Sequence, residues 1–347
     1  MNKYFSKTLL LTTTCVSFLA VNSTFVASQE STEVNIYSAR KEALIKPLLD
    51  KFEQSTGITV NLITGKADAL LQRLKIEGKA SPADVFITVD AGRLQRAKEA
   101  GVLQAIESDI LNKNIPSNLR DSDNLWFGLS QRARTIFYAK GKVKAEQLST
   151  YEDLANAKWK GKLCLRSSNN IYNQSLVASM IENIGEEATQ VWAKKLVANI
   201  AKPPTGGDTD QLKAVAAGVC DITIANTYYF GRIMNSDKDS DKAIVEKVAL
   251  FWPNQNGRGV HMNVSGAGVT KYSRHKENAI KLIEFMSSAE SQAWYAAVNS
   301  EFPALPSANK SLPLLSWGTF KADPIALNKL GENNRRAVEL MDRVGWK

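Results

Sequence analysis

The chain has 347 residues, and its 44 Lys and Arg against 35 Asp and Glu give a formal net charge of +9 at pH 7. A basic balance of this size is compatible with nucleic-acid binding. The basic residues are spread along amphipathic helix patterns without an arginine-rich run, so we expect solvated helix faces and no nucleic-acid partner. With only two histidines, His261 and His275, the chain has little imidazole for a zinc or manganese site.

The N-terminal segment has the features of a secretory signal. A mainly apolar stretch over residues 8–20 follows two lysines, and residues 26–28 place small side chains before a cleavage point. We therefore predict that residues 1–28 are a cleaved signal peptide and that the mature protein lies in the periplasm. Cys15 lacks the small-residue context of a lipoprotein site, so we expect no lipid anchor. No later stretch approaches the roughly 18 apolar residues of a membrane span.

Strand and helix patterns alternate along the first part of the mature chain. Strand patterns cover residues 34–38, 58–64 and 83–89, and helix patterns follow them at 41–57, 67–78 and 91–103. Gly57 closes the first helix, where a left-handed cap is wanted. This alternation predicts a parallel sheet that is covered by helices on both faces.

A second α/β region follows after a less regular stretch over residues 104–126. Its strand patterns are 133–139, 161–167 and 220–226, its helix patterns 175–185 and 187–200, and a loop with a return strand at 252–268 leads to helices over 275–298.

The two regions predict an α/β fold of two doubly wound lobes joined by hinge crossovers. We assign residues 29–130 plus 256–305 to an N-terminal lobe and residues 131–255 plus 306–347 to a C-terminal lobe. Ligands of open α/β sheets bind beyond the carboxyl ends of the strands, so we expect the site in the cleft between the lobes.

Sequence signatures of the common catalytic sites are absent from the chain. There is no nucleophile elbow, no HExxH, no Walker loop and no GxGxxG between a strand and a helix. A Ser-His-Asp arrangement would depend on His261, because His275 lies in a charged helix start. We therefore predict a binding protein, and a periplasmic enzyme that uses His261 is the remote alternative.

Three tyrosines are placed where a ligand would bind. Tyr228 and Tyr229 directly follow a strand pattern, and adjacent side chains of a strand point to opposite faces. Both reach one point only if a helix begins there, with Asn226 or Thr227 as its cap. Tyr172 occupies a similar place, just after a strand pattern and before a helix pattern. The alternative is packing, because tyrosine is a common residue at the edge of a core.

Five segments carry a resemblance to a known family: NIYSARKEA (35–43), GKASPADVFITVD (78–90), GLSQRAR (128–134), IANTYYFGR (224–232) and SEFPA (300–304). Over nearly its full length the mature chain resembles the ferric-ion-binding proteins of bacterial ATP-binding-cassette importers. The Asn-x-Tyr-Tyr segment after a strand is the most specific of these motifs. The resemblance implies a type II bilobal periplasmic-binding-protein fold, in which Tyr228 and Tyr229 bind Fe(III).

That resemblance also implies the function and the partners. The protein would capture ferric iron in the interlobe cleft and deliver it to an inner-membrane ABC permease and its ATPase, and we expect a monomer. Fe(III) is a hard ion that favours anionic oxygen, which phenolate supplies. Tyrosine titrates near pH ~10, so binding displaces phenolic protons. The phenolates of Tyr172, Tyr228 and Tyr229 would neutralise the charge of the ion.

The chain departs from part of the family just after its first strand. Several members carry a histidine there, where this chain has Arg40, Lys41 and Glu42. It is therefore similar to a subgroup that uses three tyrosines plus an exogenous anion, for which we expect carbonate. Glu42 is either a substitute ligand or an acid at a helix N-terminus, where the macrodipole favours it. We expect Tyr37 to pack beneath the site.

The anion would need positive donors. Arg40 and Arg132 are the candidates, since the guanidinium fork suits bidentate oxyanions, and Asn226 lies beside the tyrosine pair. Ordinary salt bridges at the surface or hinge are the alternative. Arg134 is an alternative to Arg132, because residues two apart on a strand share a face.

Two further expectations concern the disulfide and a competing ligand class. Cys164 and Cys220 are the cysteines that remain after processing, and in an oxidising compartment they predict a disulfide. The competing function is a receptor for an organic solute or an oxyanion, in which the tyrosines would stack on the ligand or hydrogen-bond to it. A ferric phenolate complex is coloured, whereas this alternative predicts no visible band.

Overall fold

The structure is a computed structural model that describes residues 1–2 and 32–347. The predicted signal peptide beyond Asn2, its cleavage point and Cys15 lie outside the described residues. Residues Thr32–Lys347 form one compact unit. Within the described ranges, no helix is long and apolar enough to cross a membrane.

The nine strands of the described residues are all connected by pairing. They are β1 Glu33–Ser38, β2 Thr59–Thr64, β3 Val85–Val89, β4 Phe127–Ala139, β5 Leu163–Cys164, β6 Ile222–Asn226, β7 Val248–Phe251, β8 Met262–Val269 and β9 Phe302–Pro303. Their order is β2-β1-β3-β8-β4-β6-β5, with β7 and β9 also paired with β4. The expectation of parallel pairing is right for β1 with β2 and β3, and for β5 with β6. The return strand predicted within residues 252–268 is β8, which runs antiparallel to both β3 and β4.

The helices cover these strands. They are α1 Lys46–Thr56, α2 Ala67–Glu77, α3 Ala91–Glu99, α4 Asp109–Asn114, α5 Ile171–Ile184, α6 Glu186–Ala198, α7 Asp208–Ala216, α8 Thr227–Met234, α9 Asp239–Lys247, α10 Lys276–Ser287, α11 Ala289–Asn299, α12 Leu312–Ser316, α13 Asn328–Glu332 and α14 Asn334–Arg343. The first helix begins at Lys46 rather than at residue 41, because Pro47 favours a start there. Gly57 adopts the predicted left-handed cap, with φ 72°.

The long strand β4 belongs to two sheets. Residues from Phe127 to Ala133 pair with β8, and residues from Arg134 to Tyr138 pair with β6. We call β2, β1, β3, β8 and the first half of β4 the first sheet, and the second half of β4 with β6, β5 and β7 the second sheet. The sequence predicts this strand only from residue 133, because polar residues at 130–132 conceal its start. Those polar side chains are nevertheless largely buried and have partners of their own.

The second sheet packs on both faces. Ile136 of β4 joins the apolar cluster that includes residues of α5 and α6. Its neighbour Phe137 points the other way, into a cluster with residues of α7, α8 and α9. The second cluster also holds the predicted Cys164–Cys220 disulfide, which links β5 to the residue two positions before β6.

Candidate functional site

A cavity of about 250 Å³ lies at the carboxyl ends of β1, β3 and β6. Its lining residues are Ala39, Arg40, Lys41, Leu44, Val89, Arg93, Tyr172, Tyr228, Tyr229, Arg232 and Glu301. All three predicted tyrosines and Arg40 therefore share one cavity. A larger cavity, of about 340 Å³ beside Pro303, is lined by apolar and uncharged polar side chains and one lysine. It offers a metal ion no anionic oxygen.

The tyrosine pair lies in the first turn of α8. Strand β6 ends at Asn226 and α8 begins at Thr227, so the strand-to-helix change that the sequence predicts is confirmed. The rings of Tyr228 and Tyr229 have centroids 4.4 Å apart. Asn226 occupies the cap position without a side-chain cap bond. Its Nδ2 lies 3.4 Å from the Tyr228 hydroxyl, so this side chain faces the phenols instead.

Tyr172 reaches the same cavity from α5. This helix begins at Ile171 rather than at residue 175, so Tyr172 lies in its first turn and not ahead of it. The guanidinium carbon of Arg132 lies 5.5 Å from the centroid of the Tyr172 ring, and that of Arg166 lies 5.8 Å away. The Tyr172 ring therefore lies among cations and lines the same cavity as Tyr228 and Tyr229.

The phenols of the pair are protonated before any cargo binds. Burial raises the pKa of Tyr228 well above its ordinary value, and the nearby phenols of Tyr172 and Tyr229 raise it further. Burial and Tyr172 likewise raise the pKa of Tyr229. A neutral phenol is a poor metal ligand, so a cation that binds here must displace protons.

Arg40 is paired with Glu301, a residue that sequence reasoning missed. Both residues are buried, and Nη2 of Arg40 donates to both Glu301 carboxylate oxygens, at 3.1 and 3.0 Å. Burial opposes the charge of Arg40, but Glu301 and Tyr295 raise its pKa above the ordinary value, so it stays protonated. The partners are 261 residues apart in the chain, and no local pattern indicates their contact.

Arg132 and Arg134 differ in how fully their donors are used. Arg134 donates to the side chains of Asp208, Asn226 and Asn173 and to the main-chain oxygen of Ile224. Arg132 donates to Ser265 at 3.1 Å, and its Nη2 lies 3.7 Å from Asp90. Nε and Nη2 of Arg132 are buried without a hydrogen-bond partner. The geometry therefore favours Arg132 as the residue with donors to spare and gives Arg134 a structural role.

Further cations that the sequence did not single out face the tyrosines. The guanidinium of Arg232 lies 4.8 Å from the ring centroid of Tyr228 and 5.1 Å from that of Tyr229. Its position four residues after Tyr228 on a helix is the signal that would have found it. Lys41 and Arg93 also line the cavity. The cavity is therefore cationic, with Glu301 as its acidic side chain.

The sequence left the roles of Tyr37, Glu42 and His261 open. Tyr37 and Glu42 lie outside the cavity, and His261 is unsuited to acid–base catalysis. The hydroxyl of Tyr37 donates to both Glu77 carboxylate oxygens at 3.0 Å, which gives it a packing role outside the cavity. Glu42 is exposed at the start of a short 3₁₀ turn and does not line the cavity. His261 is buried, and burial with the nearby arginines lowers its pKa to about 3, so it is neutral.

Side chains of other kinds offer no alternative metal centre in the described part of the chain. Among residues 1–2 and 32–347, no group of three or more His, Cys, Asp or Glu is placed to hold an ion. The side-chain oxygens that a cation could bind in the cavity are therefore those of the phenols of Tyr172, Tyr228 and Tyr229 and of the carboxylate of Glu301.

A polar cavity beyond the strand ends of two sheets that share β4 is a typical place for a bound solute. The chain belongs to the bacterial extracellular solute-binding protein family, which it matches over residues 37–293. Iron uptake protein A1 of Synechocystis sp. is 51% identical over 318 residues, covering 92% of this chain and 88% of the relative. The major ferric iron-binding protein of Neisseria meningitidis is 26% identical and covers 91% of this chain and 93% of its own.

Solved structures give the fold class. A Trichodesmium protein, IdiA or FutA, solved with iron and citrate ligands, has a TM-score of 0.88 at 52% identity and covers 91% of this chain and 100% of its own. The apo ferric ion-binding protein A of Pasteurella haemolytica has a TM-score of 0.85 at 44% identity. The match covers 91% of this chain and 98% of the Pasteurella chain. The fold is therefore the type II bilobal periplasmic-binding fold, as predicted.

Proposed function

We propose that this protein is a periplasmic receptor that captures ferric iron and delivers it to an ABC importer. The observation that carries the proposal is the convergence of Tyr172, Tyr228 and Tyr229 on one cavity. Phenolate oxygen is the hard, anionic donor that Fe(III) favours, and the described part of the chain has no competing cluster of carboxylates, imidazoles or thiolates. The naming of its relatives as iron uptake and ferric iron-binding proteins supports the same function.

The charges of the cavity support an anion that binds together with the metal. Three phenolates balance the charge of Fe(III), yet Arg40, Lys41, Arg93 and Arg232 remain, against the single carboxylate of Glu301. An octahedral ion with three phenolate ligands also has positions left to fill. We propose that a bidentate carboxylate or carbonate fills them, held by Arg40 and Arg132 and with Asn226 beside the phenols. Citrate accompanies iron in the Trichodesmium structure, which supports a polycarboxylate beside the carbonate that we expect from the resemblance.

The remaining parts of the proposal concern architecture and partners. We infer that the lobes are residues 29–130 plus 256–305 and residues 131–255 plus 306–347, after removal of a signal peptide over residues 1–28. The cavity lies between Arg40, after β1, and the tyrosine pair, after β6. Closing the lobes would bring the metal, the anion and the arginines together. The closed, loaded monomer would then dock on an inner-membrane permease that its ATPase drives.

An oxyanion or organic-solute receptor is the second candidate, and the same cationic wall favours it. The two candidates differ in what the phenols do. An organic ligand would stack on the phenol rings or accept hydrogen bonds from them, and their protons would stay in place. Ferric iron would replace those protons and produce a phenolate-to-iron absorption band in the visible region.

The deciding experiment is an absorbance titration of the purified protein with ferric citrate. We expect a visible band that saturates at one iron per chain. The variants Tyr228→Phe and Tyr229→Phe should each lose tight iron binding while unfolding at nearly the same denaturant concentration, because each deletes one oxygen and little volume. Tyr272→Phe is the matched control, since Tyr272 is exposed and lies outside the cavity. Unchanged iron affinity in both cavity variants would refute the proposal.

A further inference from the structure

Glu301 accepts hydrogen bonds from Nη2 of Arg40, the nitrogen that an oxyanion would also use. A guanidinium has two edges that offer paired N–H donors, Nε with Nη2 and Nη1 with Nη2, and Nη2 belongs to both. Both carboxylate oxygens of Glu301 accept from this one nitrogen. While Glu301 stays there, at most one edge of Arg40 is free to hold an anion with two hydrogen bonds.

The rest of the Arg40 guanidinium has no partner. Nε and Nη1 are buried and make no hydrogen bond, although Arg40 lines the cavity. A buried donor without a partner is costly, since it has lost its water. These two donors therefore favour an incoming oxyanion, which must share Nη2 with Glu301 to gain a paired edge.

Glu301 has a second partner that can hold it when Arg40 turns to an anion. The hydroxyl of Ser130, on the shared strand β4, donates to Oε2 of Glu301 at 2.6 Å. The residue before Glu301 also contacts the tyrosine helix: a Cβ placed on Gly231 of α8 would lie 2.5 Å from Cβ of Ser300. The segment that carries Glu301 therefore links Arg40, the shared strand and the helix that carries Tyr228 and Tyr229.

We propose that Glu301 is an internal competitor of the anion at Arg40 and thereby sets how much anion the protein needs to retain iron. This inference rests on the proposed function, because it concerns the anion that binds with the metal. Without an anion, Glu301 neutralises Arg40. When an anion arrives, it displaces the Glu301 carboxylate from Nη2, and Glu301 stays hydrogen-bonded to Ser130. The negative charge of Glu301 weakens anion binding and permits release of the cargo when the anion is lost.

The test is a bicarbonate titration of the full mature chain. Iron is supplied as ferrous chloride that is oxidised by CO2-free oxygen in bicarbonate-free buffer, and the visible band is followed as sodium bicarbonate is added. Glu301→Gln keeps the shape and the contact with Ser130 but removes the charge. We expect the bicarbonate concentration at half-maximal band to fall by about tenfold, because a buried negative charge beside the anion is gone. Glu290→Gln, an exposed change on α11, is the control and should match the wild type.

A second variant covers the case in which Glu301→Gln does not fold. Glu301→Asp keeps the charge but withdraws the carboxylate from Arg40 by one methylene, so the bicarbonate requirement should fall by a smaller factor. A requirement that is unchanged or higher in the folded variants would overturn the inference, since Glu301 would then be neutral toward the anion or assist it. If neither the wild type nor the control forms the band, the proposed iron function itself fails, which separates the two results.

Discussion

Asp208 holds the start of the tyrosine helix, because its Oδ2 accepts a hydrogen bond from the backbone nitrogen of Asn226 at 2.8 Å. The same carboxylate pairs with Arg134 at 3.0 Å and with Arg166 at 3.2 Å. Arg166 in turn lies over the ring of Tyr172. One buried acid therefore orders the supports of all three phenols, although it lines no part of the cavity.

Replacement of Asp208 should disturb both stability and iron binding. Asp208→Ala leaves Arg134 and Arg166 with an unbalanced charge, and loss of one partner of a buried ion pair destabilises a protein by about 3–5 kcal/mol. Asp208→Asn retains a hydrogen-bond acceptor and should lose less. The measurements are urea unfolding and iron titration, with the exposed Asp239→Asn as control. Normal iron affinity in a folded Asp208→Asn protein would show that Asp208 acts on stability alone.

Alanine variants of Arg132 and Arg134 should differ in their unfolding midpoints and in the anion requirement of iron binding. Arg132→Ala removes one hydrogen bond and the 3.7 Å ion pair with buried Asp90, so it should lower the unfolding midpoint moderately and change the anion requirement of iron binding. Arg134→Ala removes a network of four acceptors and should lower the midpoint of urea unfolding much more. Paired unfolding curves and bicarbonate titrations distinguish the two roles. Equal unfolding midpoints for the two variants would contradict this division.

Iron binding should weaken as the pH falls. The pKa values of Tyr228 and Tyr229 are raised above the ordinary value, so both phenols carry protons at neutral pH and must release them to the solvent. If three phenols each lose a proton, the logarithm of the affinity falls by up to about three for each unit of pH. Competition with a chelator between pH 6 and about 8 measures the slope. A slope near zero would mean that no phenolic proton is displaced.

The stability of the iron-free protein should change at the opposite end of the pH range. A phenol whose pKa is raised in the folded state contributes stability that is complete below the unfolded value of ~10. That contribution is lost as the pH rises through the raised pKa of the folded protein. Urea unfolding at several pH values above 9 should therefore show declining midpoints, and Tyr228→Phe should decline less. Identical profiles would place the titrating groups elsewhere.

The disulfide between Cys164 and Cys220 should be a structural bond rather than a redox switch. Both cysteines are buried, and the bond links β5 to the segment just before β6 across 56 residues of chain. By the chain-entropy model, its removal in the double variant Cys164→Ala/Cys220→Ala costs about 4 kcal/mol. Urea unfolding measures this loss. Mass spectrometry of the exported wild-type protein should find no free thiol, and two free thiols would contradict the assignment.

Much of the fold followed from local pattern. The alternating strands and helices, the left-handed cap at Gly57 and the change from strand to helix before Tyr228 each depend on a few neighbouring residues. Hydrogen bonding and side-chain periodicity within such a short segment can be derived from the residues themselves. The placement of the tyrosines beyond strand ends was therefore predictable, and their shared cavity followed from the topology of α/β sheets.

Local sequence pattern did not predict the full length of β4, which pairs with strands of both sheets. The start of β4 reads as polar because Ser130 and Arg132 interrupt it, and the tertiary structure buries both beside partners on distant segments. Arg132 and Arg134 also look equivalent in sequence, since they share a strand and a residue spacing. Only the neighbouring strands and helices decide that Arg134 has four acceptors while Arg132 keeps donors unused.

The residue types by themselves determined that this protein could hold a hard cation, because phenols placed at strand ends are local facts. The contact of Arg40 with Glu301 and that of Asp208 with Asn226 were decided only by the tertiary structure. An ion pair depends on the distance between two charges in space, and partners 261 residues apart leave no trace in either neighbourhood. The strand order sets which segments meet, and through them the electrostatics of the cavity.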